Sequence, residues 1–239
     1  MRLFFSFIFS FTLLFASTQD FENEFSNEKA ETLFDPLSGY NEVMTTFNDS
    51  LYVYILRPTA QGYAYIMPLP VRESISNVFD NLLFPIRFIN NALQFKLQNS
   101  MEELGRFVIN STLGIAGIMD VASTQFDLQP HAEDFGQTLG HYGLGNGFHV
   151  VLPFLGPSNL RDIVGLVGDT WASPLSYIES RHANLLDSDE ESWAATGLMV
   201  INKTSLHVKE YDALRKDAIE LYPFMRSLYE SRRNKLISE

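Results

Sequence analysis

"HAEDFGQTLGHYGLGNGFHVVLPFLGPSNLRD", residues 131–162, is the stretch on which the reading of this chain turns. It holds six of the fourteen glycines, at 136, 140, 143, 145, 147 and 156, and then runs into Val150-Val151-Leu152-Pro153-Phe154-Leu155. Acids precede the cluster and an Arg-Asp pair follows it. Three functions suit such a pattern: a phosphate loop, a metal site, or a moving segment beside an apolar surface. A fourth reading is mechanical only, a glycine-rich turn that lets helices pack closely.

The chemical readings fail on spacing. Gly143-Leu-Gly145-Asn-Gly147 lacks GxGxxG, follows no apolar strand, and the chain has no GK[ST], so the dinucleotide and P-loop patterns are absent. His131, Glu133, Asp134, His141 and His149 could be drawn as a metal cluster, but they match no helical zinc spacing such as HExxH. Glu133-Asp134 is better read as an acidic start to a helix at Phe135, where negative charge meets the positive end of the helix dipole. Ser158, in Gly156-Pro157-Ser158, is not a nucleophile elbow. Pro157, Asn159 and Arg161 predict a helix start, with Arg161 and Asp162 anchoring the loop. No metal, cofactor or catalytic residue is expected. What remains is glycine's freedom to adopt positive φ and to absorb dihedral change at a hinge.

The rest of the chain reads as helix. Asp35-Pro36 predicts an N-cap with proline in the first turn, opening a helix that stops at Arg57 before Pro58. Val71, Ile75, Val78, Phe79, Leu82 and Leu83 recur at helical spacing. Pro85 starts another helix with Ile86, Ile89 and Leu93. Asn99-Ser100 before Met101-Glu102-Glu103 predicts a helix to about Asn110. Tyr211 to Tyr229 keep a 3.6 period, with a kink or restart at Pro223. Phe148 to Leu155 has the strongest β character. The fold class is all-α. Periodicity alone favours packing every apolar face into one soluble core over laying those faces against lipid.

Composition narrows the partners. Hydrophobic residues make up 46% and charged residues 19%, within the globular range, but twenty phenylalanines are a large aromatic surface to cover. The formal charge of −12 argues against nucleic acid. No cysteine is present, so no disulfide or thiolate chemistry is available. Residues 1–16, MRLFFSFIFSFTLLFA, read as a secretory signal peptide, with an uncleaved anchor helix as the alternative. Residues 17–33 read as a flexible acidic tether and 34–239 as a single helical domain.

Four stretches together resemble the MlaA (VacJ) family: "FDPLSGYNEVMTTFNDSLYVYILRP" (34–58), "RFVINSTLGIAGIMDVAS" (106–123), "EDFGQTLGHYGLGNGFHVVLPFLGPSNLRD" (133–162) and "YPFMRSLYESRR" (222–233). The resemblance implies a ring of short amphipathic helices lying in the periplasmic leaflet of the Gram-negative outer membrane. It implies a non-enzymatic channel that removes phospholipids misplaced in the outer leaflet, so maintaining lipid asymmetry. The implied partners are phospholipids, a trimeric porin and a periplasmic lipid carrier of the Mla type. Carried over, Gly143, Gly145 and Gly147 form a hinge loop. Phe148, Val150, Val151, Leu152, Phe154 and Leu155 form a channel wall or lipid-contacting run. Asn41, Phe47 and Asn48 match an early helix motif without an assigned role. The family's usual lipidated cysteine is missing, which predicts a non-lipidated protein on the periplasmic face of the outer membrane. A periplasmic lipid-modifying enzyme using His131 or Ser158, and a structural porin-associated protein, are the alternative functions.

Overall fold

The computed structural model describes residues 35–174 and 189–239. Residues 1–33, read as a signal peptide and an acidic tether, lie outside the described residues.

The chain forms α1 (Ser38–Leu51), a π-helical turn (Tyr52–Leu56), α2 (Arg57–Ile66), α3 (Leu69–Leu82), α4 (Phe84–Leu93), α5 (Leu97–Thr112) and α6 (Val121–Phe126). Then come α7 (Phe135–His141), a hairpin of β1 (His149–Leu152) and β2 (Gly156–Asn159), α8 (Leu160–Ala172), α9 (Asp189–Asp217) and α10 (Leu221–Ser238). The fold is helical with one small antiparallel hairpin, in register from His149 opposite Asn159 to Leu152 opposite Gly156. Strand β1 falls on the stretch whose β character the sequence displays, whereas β2 lies beyond it and holds Pro157, expected at a helix start, because the helix opens only at Leu160 behind the Asn159 cap.

Several boundaries differ from expectation. The first helix opens at Ser38 with Leu37, not Asp35, at the cap position, and Asp35 instead accepts from Leu37 N at 3.2 Å in the turn before it. The first helical segment does not stop at Arg57 but continues through Pro58 to Ile66. Proline cannot donate the bond that an α-helix requires four residues back. The π turn just upstream shifts the register, so that Arg57 N–H donates to Tyr52 O, five residues back, and the helix tolerates the gap. The fifth helix opens at Leu97, which puts Ser100 inside it. The restart near Pro223 is observed: α9 ends at Asp217 and α10 opens at Leu221.

The helices group by contact. Helices α2 and α3 pack on α9, and α4 pairs with α5. Helices α7 and α8 pair with each other, while α10 lies against α7, β2 and α1. The apolar clusters are small. One gathers Tyr52, Tyr211, Met225 and Leu228, and the other gathers Leu83, Ile86 and Met199.

The single soluble core favoured by periodicity is not what the structure contains. Among the described residues, thirteen apolar side chains are buried against twenty-eight polar or charged ones, and twenty-nine large hydrophobic residues are exposed. The amphipathic helices are turned inside out. On α1 the buried positions are Asn41, Thr45 and Asn48, while Tyr40, Val43 and Phe47 face outward. On α5 the buried positions are Ser100, Glu103, Arg106 and Asn110, with Leu97, Met101 and Val108 outside. On α8 they are Arg161, Asp162, Gly165 and Asp169, with Val164, Val167 and Trp171 outside. No helix of the described residues is long and apolar enough to cross a membrane.

Glycine permits the closest approach. A Cβ on Gly165 of α8 would lie 2.4 Å from the backbone nitrogen of Gly136 in α7. Gly145 has nothing within 4 Å of a built Cβ. Gly165→Ala is therefore expected to destabilise the fold by about 1–3 kcal/mol through overpacking. Gly145→Ala is expected to stay within about 0.5 kcal/mol. Denaturant unfolding of the two variants in detergent micelles checks the contrast, and equal stability would refute it.

Candidate functional site

The site is built where α7, the hairpin, α8 and α10 meet. Asp134 caps α7 by accepting from Gln137 N at 2.8 Å. Asn159 caps α8 by accepting from Asp162 N at 2.9 Å. Both caps use a short side-chain oxygen to satisfy an amide that the helix leaves free. The carboxylates of Asp134 and Asp162 are then claimed by one residue of α10. Arg233 donates from Nη1 and Nη2 to Asp134 at 2.5 and 2.9 Å, and from Nε and Nη2 to Asp162 at 2.9 and 2.8 Å. Tyr229 Oη donates to Asp162 at 2.6 Å, and Arg161 Nε donates to it at 3.0 Å.

The electrostatics follow from burial. Burial opposes charge on Asp134, yet Arg233 holds its carboxyl below the usual range. Burial and the Asp162 carboxylate push Tyr229 well up, so it stays a neutral donor. Asp169 accepts from Phe135 N and Asn90 Nδ2, each at 3.0 Å. Burial first, and then the charge of Asp134, raise its carboxyl well above the ordinary range.

The hairpin is docked by two asparagines two helical turns apart. Asn41 of α1 donates to His149 O at 3.1 Å and accepts from Val151 N at 2.8 Å. Asn48 donates to Leu152 O at 2.9 Å and accepts from Phe154 N at 2.7 Å. Their side-chain amides serve the free edge of β1 as a neighbouring strand would. Phe47, between them, meets Phe154 edge-on at 5.3 Å between ring centroids.

The glycine loop links α7 to this hairpin. Gly143 closes α7 in a Schellman arrangement: its N–H donates to Gly140 O at 2.9 Å, and Leu144 N–H donates to Leu139 O at 3.1 Å. Gly143 has φ +85° and Gly147 φ +67°, conformations that side chains strain to adopt. Gly145 carries neither constraint. Beyond the loop the apolar run alternates. Val151, Leu152 and Leu155 are buried, Phe148 and Val150 are half-buried, and Phe154 is exposed.

The proposed chemical ligands are dispersed. His131 Nε2 lies 2.7 Å from Glu102 Oε2, and His149 Nδ1 lies 2.8 Å from Glu230 Oε1. Glu133 accepts from Lys96 Nζ at 2.6 Å and Gln94 Nε2 at 2.7 Å. Among the described residues no three His, Asp or Glu side chains are placed to hold a metal ion. Ser158 is buried in β2.

Helix, loop and hairpin in this order, inside a sheath of outward apolar faces, match a known protein type. The MlaA lipoprotein family profile matches residues 33–236. The chain belongs to the MlaA family. Among MlaA relatives, the Escherichia coli K12 intermembrane phospholipid transport system lipoprotein MlaA is 39% identical over 174 residues, covering 65% of this chain and 68% of that protein. An uncharacterized Rickettsia prowazekii protein is 37% identical over 146 residues, 61% of this chain, and the match spans 58% of that protein's length. A solved chain from "Structural basis for maintenance of bacterial outer membrane lipid asymmetry" superposes with a TM-score of 0.71 at 33% identity, covering 85% of this chain and 99% of that one.

Arg233 and Glu230 carry no role in the sequence reading and Tyr229 enters it only as part of a helical period, although the stretch containing them supports the MlaA resemblance. The one local signal was polar residues on the helix face that should have been apolar.

Arg233→Met leaves buried Asp134 without a cation and Asp162 with only Arg161 and Tyr229, and is expected to cost about 3–5 kcal/mol. Arg233→Lys should recover only part, because an ammonium lacks the planar fork. Unfolding in micelles checks the order, and a Met variant as stable as wild type would overturn the clamp. The raised Asp169 carboxyl gives a pH signature of its own. The native state keeps a proton that the unfolded chain releases above about pH 4, so this residue's contribution to stability falls as pH rises through that window. Asp169→Asn cannot ionise and is expected to flatten the decline above about pH 4. Melting temperatures at intervals across that range test it, and an unaltered slope counts against the assignment.

Proposed function

We propose that this protein is a non-enzymatic phospholipid conduit at the outer membrane, returning phospholipids misplaced in the outer leaflet toward the periplasm and so maintaining lipid asymmetry. The observation that carries this reading is the inverted burial. A chain with polar residues inside and large apolar residues outside requires an apolar surrounding, because water would penalise that surface. Acyl chains supply it. The helices keep their backbone groups satisfied internally, as lipid demands.

The transport for which the E. coli relative is named carries over to this chain on that basis. In our reading the helices form a ring in the periplasmic leaflet. A trimeric porin and a periplasmic carrier of the Mla type are its partners. Gly143, Gly145 and Gly147 form the hinge. Phe148, Val150 and Phe154 present the lipid-facing side of the run, while Val151, Leu152 and Leu155 seat the hairpin. Of the groups that would serve hydrolysis, His131 is paired with Glu102 and Ser158 is buried in β2.

Cells lacking the gene are expected to expose several-fold more phospholipid at the surface, and a restored wild-type copy should reverse the rise. A copy carrying Gly145→Pro, at equal abundance, should fail to reverse it, because proline fixes φ at the one loop glycine free of packing and of positive φ. No rise on deletion would sink the transport reading. Lysophospholipid or free fatty acid released by the purified protein would favour an enzyme instead.

A further inference from the structure

We propose that Glu230 is a positioning residue for the glycine loop, and that loop opening begins with release of Asn146 from its carboxylate. The inference rests on the hinge reading above and names the contact that holds the hinge shut.

Glu230 lies on α10 and is buried. Its two oxygens collect three partners from three segments. Asn146 Nδ2, in the loop, donates to Oε2 at 2.8 Å. Asn159 Nδ2, the cap of α8, reaches the same oxygen at 3.4 Å. His149 Nδ1, at the head of β1, lies 2.8 Å from Oε1. The imidazole is wedged beside Tyr222 and Tyr229, at ring centroid distances of 6.1 and 5.9 Å. The His149 and Asn159 contacts belong to the hairpin and the helix cap. Only the Asn146 contact belongs to the loop.

That contact sets how much chain can move. Upstream, the Schellman bonds of Gly143 and Leu144 tie the loop to α7. Downstream, Asn146 is held twice, by Glu230 through its side chain and by Arg161 N, which donates to its carbonyl at 3.2 Å. Between the two anchors only Gly145 is free of both. The loop as it stands has one joint. Releasing Asn146 from Glu230 leaves its carbonyl on Arg161 N as the one remaining anchor, and once that bond also yields the free span runs from Gly145 towards Phe148, whose carbonyl accepts from Leu160 N at 3.3 Å. A hydrogen bond from an amide to a carboxyl oxygen at 2.8 Å is the shortest that the Asn146 side chain makes with Glu230, and its loss frees that side chain from α10.

The test uses the full chain in micelles, with amide hydrogen exchange read across residues 143–148 and, as a control, across α8 and α10. Asn146→Asp places a second carboxylate against Glu230, and Asn146→Ala removes the donor. Both leave His149 and Asn159 on Glu230. Exchange in 143–148 is expected to rise by about tenfold or more in each variant, with α8, α10 and the melting temperature unchanged. Loop exchange equal to wild type in both variants overturns the proposal, as does a rise shared equally by α8 and α10. Transport assays on the same variants and on Gly145→Pro separate the two levels. If Gly145→Pro blocks transport while the Asn146 variants leave loop exchange unmoved, the hinge reading stands and the Glu230 assignment fails. If loop exchange rises but neither the Asn146 variants nor Gly145→Pro alters transport, Glu230 holds the loop and the hinge reading fails.

Discussion

The fold depends on one guanidinium. Arg233 faces two aspartates that sit at the beginnings of two helices, and its planar fork meets both. Each aspartate is also engaged locally. Asp134 caps α7, and Asp162 stands in the first turn of α8 with Tyr229 and Arg161 on its oxygens. The caps orient the carboxylates before α10 arrives, so the arginine meets preset acceptors. Removing a charge from such a group would leave its partners desolvated and unmatched, a larger penalty than the net worth of the pair. The glycines at 136 and 165 belong to the same device. They let α7 and α8 approach until backbone meets backbone, which brings the two capped ends within reach of a single side chain.

A polar interior of this kind fits an environment where water is scarce outside. In a soluble protein the hydrophobic effect assembles the core and polar groups are left to solvent. Here the exposed faces of α1, α5 and α8 carry Tyr40, Val43, Met101, Val108, Val164 and Trp171, and the helices hold together through amides and ion pairs. Hydrogen bonds between helices gain weight when no water competes for them. Asn81 reaching Ser111, Arg87 reaching Glu103 and Asn202 reaching Arg72 O repeat this logic away from the site.

Much of the local structure was legible because its causes are local. The acid pair before Phe135 announced the α7 cap, Asn159 announced the α8 start, and Pro85 and Pro223 marked restarts. The direction of burial was not legible. A stripe of Val, Leu and Phe at helical spacing looks the same whether it faces a core or a lipid tail. The distinction lay on the opposite face, where Asn41, Thr45 and Asn48, and then Ser100, Glu103, Arg106 and Asn110, keep a helical period of their own. The continuation through Pro58 was hidden too, since a π turn has no composition signal. Arg233 could not be paired from sequence. Its partners lie 99 and 71 residues away, and nothing near residue 233 specifies them.

The glycine-rich stretch that opened the question divides by constraint. Gly136 and Gly140 are packing glycines: a Cβ would strike Asp162 and Arg233 at the first, and Ile237 and Arg161 at the second. Gly143, Gly147 and Gly156 are conformational glycines, held at positive φ by a helix cap, a loop exit and a hairpin. Gly145 has neither reason to be glycine in the resting structure. The hinge proposed above draws on this position, since a residue without a Cβ keeps the most backbone freedom. The close-packing reading holds at Gly136 and Gly140, and the proposed hinge draws on the loop beyond them. The packing glycines and the Arg233 clamp fix α7 and α8, so movement of the kind proposed would fall on the short loop between α7 and the hairpin.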